Sequence, residues 1–133
     1  MRNLLIVGAG GFLGSVARYL VSGWATQLTQ ASRFPAGTAL VNITGCLLIG
    51  LLAGIAEHGH LMNATTRMFL LTGILGGYTT YSAFAYETWF LGRSNLPWAA
   101  AGNVALQVVA GLGAVWLGAA VAARLVRVLL PSA

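Results

Sequence analysis

Four apolar stretches, each close to the length that a helix needs to cross a lipid bilayer, constrain the fold of this chain most. They cover residues 4–24, 38–56, 68–91 and 97–123 of a 133-residue chain, and short polar connections separate them. A helix can cross lipid because it satisfies its backbone hydrogen bonds internally. The pattern therefore predicts an all-α membrane protein whose four transmembrane helices form a single domain.

The small number of charged residues agrees with helices that face lipid. Asp, Glu, Lys and Arg make up 7% of the chain, against about 25% in ordinary soluble domains. The seven cationic residues are all arginines, and they are scattered singly without a basic run. A nucleic-acid surface needs clustered basic residues. We therefore expect membrane lipid, and no nucleic acid, as a partner.

The first stretch shares features with two other kinds of segment. A secretory signal peptide would carry a small-residue cleavage site, but this stretch has none and contains Arg18. In a nucleotide-binding turn, an acidic residue would lie about 20 positions after the glycine-rich run, but the first acidic residue of this chain is Glu57. We therefore predict a permanent membrane helix, in which Gly10 and Gly14 allow close contact with another helix.

The arginines are nearly balanced between the two ends of the predicted helices. Topology normally follows an excess of Lys and Arg on the cytoplasmic side, and four arginines against three give almost none. The chain is therefore compatible with insertion in both orientations. The two groups are Arg2, Arg67, Arg124 and Arg127 at one end, and Arg18, Arg33 and Arg93 at the other.

Amide and hydroxyl side chains form short stripes on the second and fourth predicted helices. Thr38 and Asn42 are four residues apart, as are Asn103 and Gln107, so each pair shares a helical face. One explanation is hydrogen bonding between helices, at about 0.6 to 2 kcal/mol per bond. The other is a lined ion pathway, and the stripes alone leave both interpretations open.

The third stretch changes character near its middle. Gly76 and Gly77 precede a run of hydroxyl residues that ends at Ser82, in an otherwise apolar segment. Paired glycines are poor helix formers, and a break here would expose carbonyl oxygens that suit a cation such as Na⁺. An intact helix with a glycine packing notch is the alternative that the residues leave open.

Two aromatic residues follow the glycine pair. Tyr81 and Phe84 are three positions apart and share a face, with Ser82 beside them. Ring edges carry a positive partial charge, so they can hold an anion edge-on. With the amide donors of the other two helices, they would suit a small, strongly hydrated anion whose lost water must be replaced by donors.

These residues resemble the Fluc-type (CrcB) fluoride channels over nearly the whole chain. The likeness is carried by Gly-Thr-Ala-Leu-Val-Asn at 37–42, by Gly-Gly-Tyr-Thr-Thr-Tyr-Ser-Ala-Phe at 76–84, and by the Glu87-Thr88 pair. Arg18 near the end of the first helix also fits. The resemblance implies a channel, not an enzyme, that exports cytoplasmic fluoride by passive permeation through the bacterial plasma (inner) membrane.

The resemblance further implies an antiparallel, dual-topology homodimer with two fluoride pathways. Its third helix would be broken at mid-membrane, and a structural Na⁺ at the dimer centre would be held by backbone carbonyls of Gly76 and Thr79 from both subunits. By motif position, Asn42 and Phe84 line the pathway. The full set of residues expected along it is Asn42, Phe84, Tyr81, Ser82, Thr38, Asn103, Gln107, Arg18 and Glu87.

The chain departs from the family pattern at two positions. Tyr81 stands where the family usually has its first pore phenylalanine, and it adds a hydroxyl to the ring edge. Gly111 continues the stripe of the fourth helix but supplies no side-chain donor. Glu87 has two interpretations, as a vestibule residue of the pore or as a snorkelling or arginine-paired charge at a helix end.

Two other functions remain as alternatives. A small multidrug-type cation/proton antiporter also has four helices, but it would need a carboxylate within the first helix, which contains none. A non-transporting membrane assembly subunit would use the polar stripes only to join helices. Two glutamates and two histidines assemble no catalytic constellation, so an enzyme is not expected.

Overall fold

The computed structural model describes residues 1–29, 34–57 and 61–129, and the regular structure within these ranges is entirely helical. This confirms the predicted all-α class. Arg33, one of the arginines in the orientation argument, lies outside the described residues. The elements in chain order are α1 (Arg2–Leu28), α2 (Ala36–Ala56), α3 (Ala64–Arg67), a π-helical segment (Met68–Leu75), α4 (Gly76–Tyr78), α5 (Tyr81–Arg93) and α6 (Pro97–Leu129).

Three of these helices, α1, α2 and α6, are long and apolar enough to cross a membrane. Helix α6 has 33 residues, so at 1.5 Å per residue it is about 50 Å long. The hydrocarbon core of a bilayer is only about 30 Å thick, and α6 continues past its predicted end at residue 123. The remaining predicted span, 68–91, is divided among the π-helical segment, α4 and α5.

The outer surface of the described helices is largely apolar. Trp98 and Trp116 on α6 are 88% and 84% exposed, and Phe12 on α1 is 69% exposed. Exposed large apolar side chains in such number are rare on ordinary soluble monomers. The helices therefore present to lipid, or to another membrane chain, the side chains that a soluble protein would bury.

Glycines bring α1 into backbone contact with the third predicted span. A side-chain carbon at Gly10 would lie 2.8 Å from the Cα of Gly73, and one at Gly14 would overlap the carbonyl oxygen of Ile74. Both glycines are buried. Small residues permit such close helix approach in membranes, and the contact predicted from Gly10 and Gly14 is confirmed.

A second glycine contact joins α2 to α6. A side-chain carbon at Gly50 would overlap the carbonyl oxygen of Val115, and one at Gly118 would overlap that of Leu47. Each helix therefore lies directly against the backbone of the other. This contact fixes the register between α2, which carries Asn42, and α6, which carries Asn103 and Gln107.

Two residues with extended backbone lie between α4 and α5. Thr79 has φ −82° and ψ 158°, and Thr80 has φ −150° and ψ 115°. The Thr80 hydroxyl then caps α5 by accepting the Ala83 N–H at 3.3 Å, as N-cap threonines commonly do. We call these two residues the Thr79–Thr80 segment; it lies where the glycine pair and hydroxyl run occur in the sequence.

Candidate functional site

The Asn42 carboxamide holds both backbone polar groups of Thr80. Its Oδ1 accepts the Thr80 N–H at 2.8 Å, and its Nδ2 donates to the Thr80 carbonyl oxygen at 3.0 Å. Backbone groups outside regular structure must find such partners when water is scarce. A side chain of α2 therefore holds the extended backbone of the Thr79–Thr80 segment in place.

The hydrogen bonds around this segment release two carbonyl oxygens. In a continuous α-helix the Thr80 N–H would donate to the Gly76 carbonyl, and the Ala83 N–H to the Thr79 carbonyl. Here those N–H groups bond to Asn42 Oδ1 and to the Thr80 hydroxyl instead. The Gly76 and Thr79 oxygens therefore lack their usual helical donors, and they are the two carbonyls that the family resemblance names.

A chain of side-chain hydrogen bonds continues from Asn42 across α6 to α5. The second Nδ2 hydrogen of Asn42 is donated to Gln107 Oε1 at 2.7 Å, and Gln107 Nε2 donates to Asn103 Oδ1 at 2.9 Å. Asn103 Nδ2 then donates to Thr88 Oγ1 at 2.9 Å, and the Thr88 hydroxyl donates to the Phe84 carbonyl at 2.8 Å. We call Asn42, Gln107, Asn103 and Thr88 the amide relay.

The relay unites residues that the sequence placed on separate helices. The predicted common face of Asn103 and Gln107 is confirmed, because the two amides are bonded to each other. Asn103 is fully buried. Thr88 was not among the expected pathway residues; the available signal was the Glu87-Thr88 pair of the family resemblance, which lies one turn after Phe84.

A groove of about 320 Å³ opens beside the Thr79–Thr80 segment. The ring centroids of Tyr81 and Phe84 are 5.6 Å apart with an interplanar angle of 53°. Tyr81 is 80% exposed, and Phe84 is half-buried. We call this opening the Phe84 groove; its lining includes Asn42, Gly45, Cys46, Thr79, Thr80, Tyr81, Phe84 and Gln107.

Thr80 also lines a second, more polar cavity of about 630 Å³. Arg18 of α1 lies in it and donates from Nη1 to the Thr79 carbonyl at 3.4 Å, a long hydrogen bond. We call this opening the Arg18 cavity; its lining includes Ser15, Arg18, Ser22, Thr38, Thr80, Ser82 and Glu87. The expected pathway residues are thus divided between two cavities, apart from the buried Asn103.

Thr38 and Glu87 form a pair at the edge of the Arg18 cavity. The Thr38 hydroxyl donates to Glu87 Oε1 at 2.6 Å. The other carboxylate oxygen, Oε2, is buried and has no hydrogen-bond partner among the residues that the structure describes. Although Thr38 and Asn42 are one turn apart on α2, they line different cavities. The single stripe expected from their spacing is therefore divided.

Gly111 also differs from a simple extension of the polar stripe. It is buried, and a side-chain carbon there would lie 3.4 Å from Cys46 Sγ. Cys46 lines the Phe84 groove, so the cysteine sulfur occupies the space next to the glycine. Gln107 is therefore the last residue of the α6 polar stripe that lines the groove.

Side-chain ligands for a metal are not grouped in the described part of the chain. Within residues 1–29, 34–57 and 61–129, no three His, Cys, Asp or Glu side chains lie close enough to hold an ion. A cation at this site would therefore depend on uncharged oxygens. The released carbonyls of Gly76 and Thr79 are oxygens of the kind that bind hard cations.

Comparison with known proteins gives one consistent result. The family model described as "CrcB-like protein, Camphor Resistance (CrcB)" matches residues 5–119. A relative from Methylobacillus flagellatus, named fluoride-specific ion channel FluC, is 42% identical over 89% of this chain and 92% of its own length. Proteins of the same name from Nitratidesulfovibrio vulgaris and Flavobacterium psychrophilum are 44% and 41% identical, over 90% and 94% of this chain and 95% and 100% of their own lengths.

Proposed function

The chain belongs to the CrcB-like family, and from that premise we propose that it is a fluoride channel of the bacterial inner membrane. It is a multi-pass membrane protein and not an enzyme. The observation that carries the proposal is the meeting of the Gln107 carboxamide with the rings of Phe84 and Tyr81 beside Thr80. This meeting lies within a chain that matches named fluoride channels over about nine-tenths of its length.

The Phe84 groove has the chemistry that a dehydrated fluoride ion requires. A small anion stripped of water is very costly to bury unless donors replace its hydration shell. The groove offers the Phe84 and Tyr81 ring edges, which are electropositive, and the Gln107 carboxamide. One Nε2 hydrogen of Gln107 is donated to Asn103; the other has no acceptor among the described residues and is free to meet an ion.

We propose a passive pathway that runs from the Arg18 cavity past Thr80 to the Phe84 groove. Arg18 supplies positive charge at the wide, polar end, which raises the local concentration of anions. Ser82, Thr38 and Glu87 line that end, and the ring edges and Gln107 line the narrower, apolar end. Glu87 belongs to the vestibule in this proposal, because Thr38 already holds one of its oxygens.

The Thr79–Thr80 segment would then be the break in the third membrane helix at mid-bilayer depth. Gly76 is exposed, and a side-chain carbon there would meet nothing within 4 Å, so a second chain can approach the backbone at this residue. Gly76 and Thr79 from two subunits would hold a structural Na⁺. The ion would neutralise carbonyl dipoles at the subunit contact. Arg18 already contacts the Thr79 oxygen, but only at 3.4 Å.

An antiparallel, dual-topology homodimer is the assembly that the sequence supports. Without Arg18, which contacts the Thr79–Thr80 segment, four arginines lie at one end of the helices and two at the other, a small difference that permits both orientations. A two-fold axis in the membrane plane would bring the same exposed surface from both copies together. The exposed apolar faces of the described helices leave ample surface for such a contact.

The assembly-subunit alternative has one observation in its favour, since the amide relay joins α2, α5 and α6 by hydrogen bonds. A relay without transport would explain the buried amides but not the groove beside them. The antiporter alternative has less support, because α1 contains no carboxylate.

Reconstitution of the purified protein into potassium fluoride-loaded vesicles separates the three functions. After valinomycin is added, a fluoride electrode should record rapid efflux that needs no proton gradient. Chloride-loaded vesicles serve as the matched control and should release little anion. Proton-coupled drug uptake would indicate an antiporter, and the absence of any flux from well-folded protein would indicate an assembly subunit.

A further inference from the structure

We propose that Thr88 is a positioning residue of the fluoride pathway, which acts through the amide relay to hold the turn of α5 that carries Phe84. This inference rests on the proposed channel function and deepens it. It assigns a role to a residue that lines neither the Phe84 groove nor the Arg18 cavity. It also makes Asn103 a positioning residue and not an ion ligand.

The two ends of the amide relay lie on either side of Phe84 in the sequence. It starts at the backbone of Thr80, held by Asn42, and it ends at Thr88, which bonds to the Phe84 carbonyl. Thr80 lies one helical turn before Phe84, and Thr88 lies one turn after it. The turn that bears the ring is therefore tied to α2 at one end and to α6 at the other.

The direction of every hydrogen bond in the relay follows from one backbone group. The Thr80 N–H can only donate, so Asn42 must present Oδ1 to it and its Nδ2 elsewhere. Gln107 must then accept with Oε1, and its own Nε2 faces Asn103. If either of these two carboxamides were reversed, a donor would face a donor.

The hydrogen-bond directions of Asn103 and Thr88 follow from the same constraint. Asn103 accepts from Gln107 with Oδ1, so its Nδ2 faces Thr88 and donates to the hydroxyl oxygen. With its oxygen serving as acceptor, the Thr88 hydroxyl directs its own hydrogen to the Phe84 carbonyl. Polar networks of this kind, fully satisfied in a low dielectric, are rigid and specify one arrangement.

Burial separates the positioning members from the member that faces the groove. Asn103 is 0% exposed, so its amide reaches no ion in either cavity without leaving the relay. Gln107 lines the Phe84 groove. The relay therefore sets the free N–H of Gln107 and the ring of Phe84 at fixed positions relative to each other.

An ordinary threonine in a membrane helix also donates to the carbonyl four residues earlier, without any further role. Thr88 differs because its hydroxyl is also the acceptor that ends the relay. The two interpretations make different predictions for the carboxamides of Asn42 and Gln107. Loss of the hydroxyl disturbs these amides only if the relay acts as a unit.

The test compares Thr88→Val, which keeps the shape but removes the hydroxyl, with Thr88→Ser, which keeps the hydroxyl. Thr65→Val is the matched control, because Thr65 is exposed on α3 and no side-chain hydrogen bond joins it to a described residue. Fluoride efflux is measured from vesicles that contain equal amounts of folded protein. The side-chain ¹⁵N resonances of Asn42 and Gln107 are recorded for the same variants.

We expect Thr88→Val to slow fluoride efflux about thirtyfold, the population shift that corresponds to the loss of both hydrogen bonds of the Thr88 hydroxyl. Its Gln107 carboxamide resonance should shift, and Thr88→Ser should restore both efflux and resonance. Thr65→Val should change neither. The proposal is overturned if Thr88→Val conducts within twofold of the unmodified protein, or if serine is as impaired as valine.

The resonances also distinguish a failure of the amide relay from a failure of the channel function. An unmodified protein that conducts no fluoride contradicts the channel function, and the resonances then still report on the relay. An unmodified protein that conducts, combined with an unshifted Gln107 resonance in Thr88→Val, contradicts the relay and leaves the channel in place.

Discussion

Replacement of Asn42 by alanine is the most informative single change, because this side chain holds more of the site than any other relay member. It makes three hydrogen bonds, two to the backbone of Thr80 and one to Gln107. Alanine removes all three hydrogen bonds, because its methyl side chain has no polar group. The Thr80 N–H and carbonyl lose their fixed partners at the point where the chain is extended.

The size of the effect follows from those three bonds. Each is worth about 1 kcal/mol net in a protein. We use the net value because Thr80 lines two cavities, from which water can reach its freed groups. The sum is about 3 kcal/mol, a factor of about 100 in the population of the native arrangement. Fluoride efflux from reconstituted vesicles should fall by about that factor.

Asn63→Ala provides the matched control for Asn42→Ala. This substitution also removes a carboxamide, but at the exposed N-cap of α3, where Asn63 Oδ1 accepts the Thr66 N–H at 2.8 Å. That change should lower stability by about 1 kcal/mol and leave efflux unchanged. Neither substitution touches the glycine contacts, so both proteins should elute at the volume of the unmodified protein. Efflux by Asn42→Ala within fivefold of the unmodified protein would refute the reasoning.

Three further predictions concern the pathway, the packing and the orientation. Phe84→Ile removes the ring edge, so efflux in the fluoride-electrode assay should collapse while the protein stays folded; Tyr81→Phe should be milder, and equal losses in both would contradict the edge-on role. Gly14→Ala places a side-chain carbon against the Ile74 carbonyl and should lower thermal stability by about 1–3 kcal/mol, whereas Gly113→Ala, at a position with open space, should be neutral. Tags on both termini should label both faces of the membrane, and a single orientation in every molecule would exclude the antiparallel dimer.

The sequence predicted the helical class and the close packing of α1, because both follow from local patterns. Length and hydropathy set the membrane helices, and the small residues Gly10 and Gly14 predicted a backbone contact that the structure contains. Helix ends were less well predicted: α6 continues to Leu129, since an apolar stretch marks the membrane depth and not the last hydrogen-bonded turn.

The partners of the polar side chains could not be predicted from spacing. Thr38 and Asn42 share a helical face, yet they line different cavities, because residues of α1 complete the Arg18 cavity and residues of α6 complete the Phe84 groove. Thr88 belongs to a motif of the family resemblance, but its spacing did not predict its partner, since a threonine in a helix usually bonds only within that helix. Its link to Asn103 depends on how α5 packs on α6, which is a tertiary contact between residues 15 positions apart.

The backbone contact between α1 and the third predicted span also bears on how the chain enters the membrane. Gly10 and Gly73 face each other directly, and the whole of α2 lies between them in the sequence. A newly inserted α1 therefore has no partner for its glycine face until the third span has left the translocation machinery. During that interval lipid must cover the face, and lipid chains fill such a shallow notch less closely than a matching helix does. Because α1 is synthesised first, its glycine contact can form only after the third predicted span has been inserted.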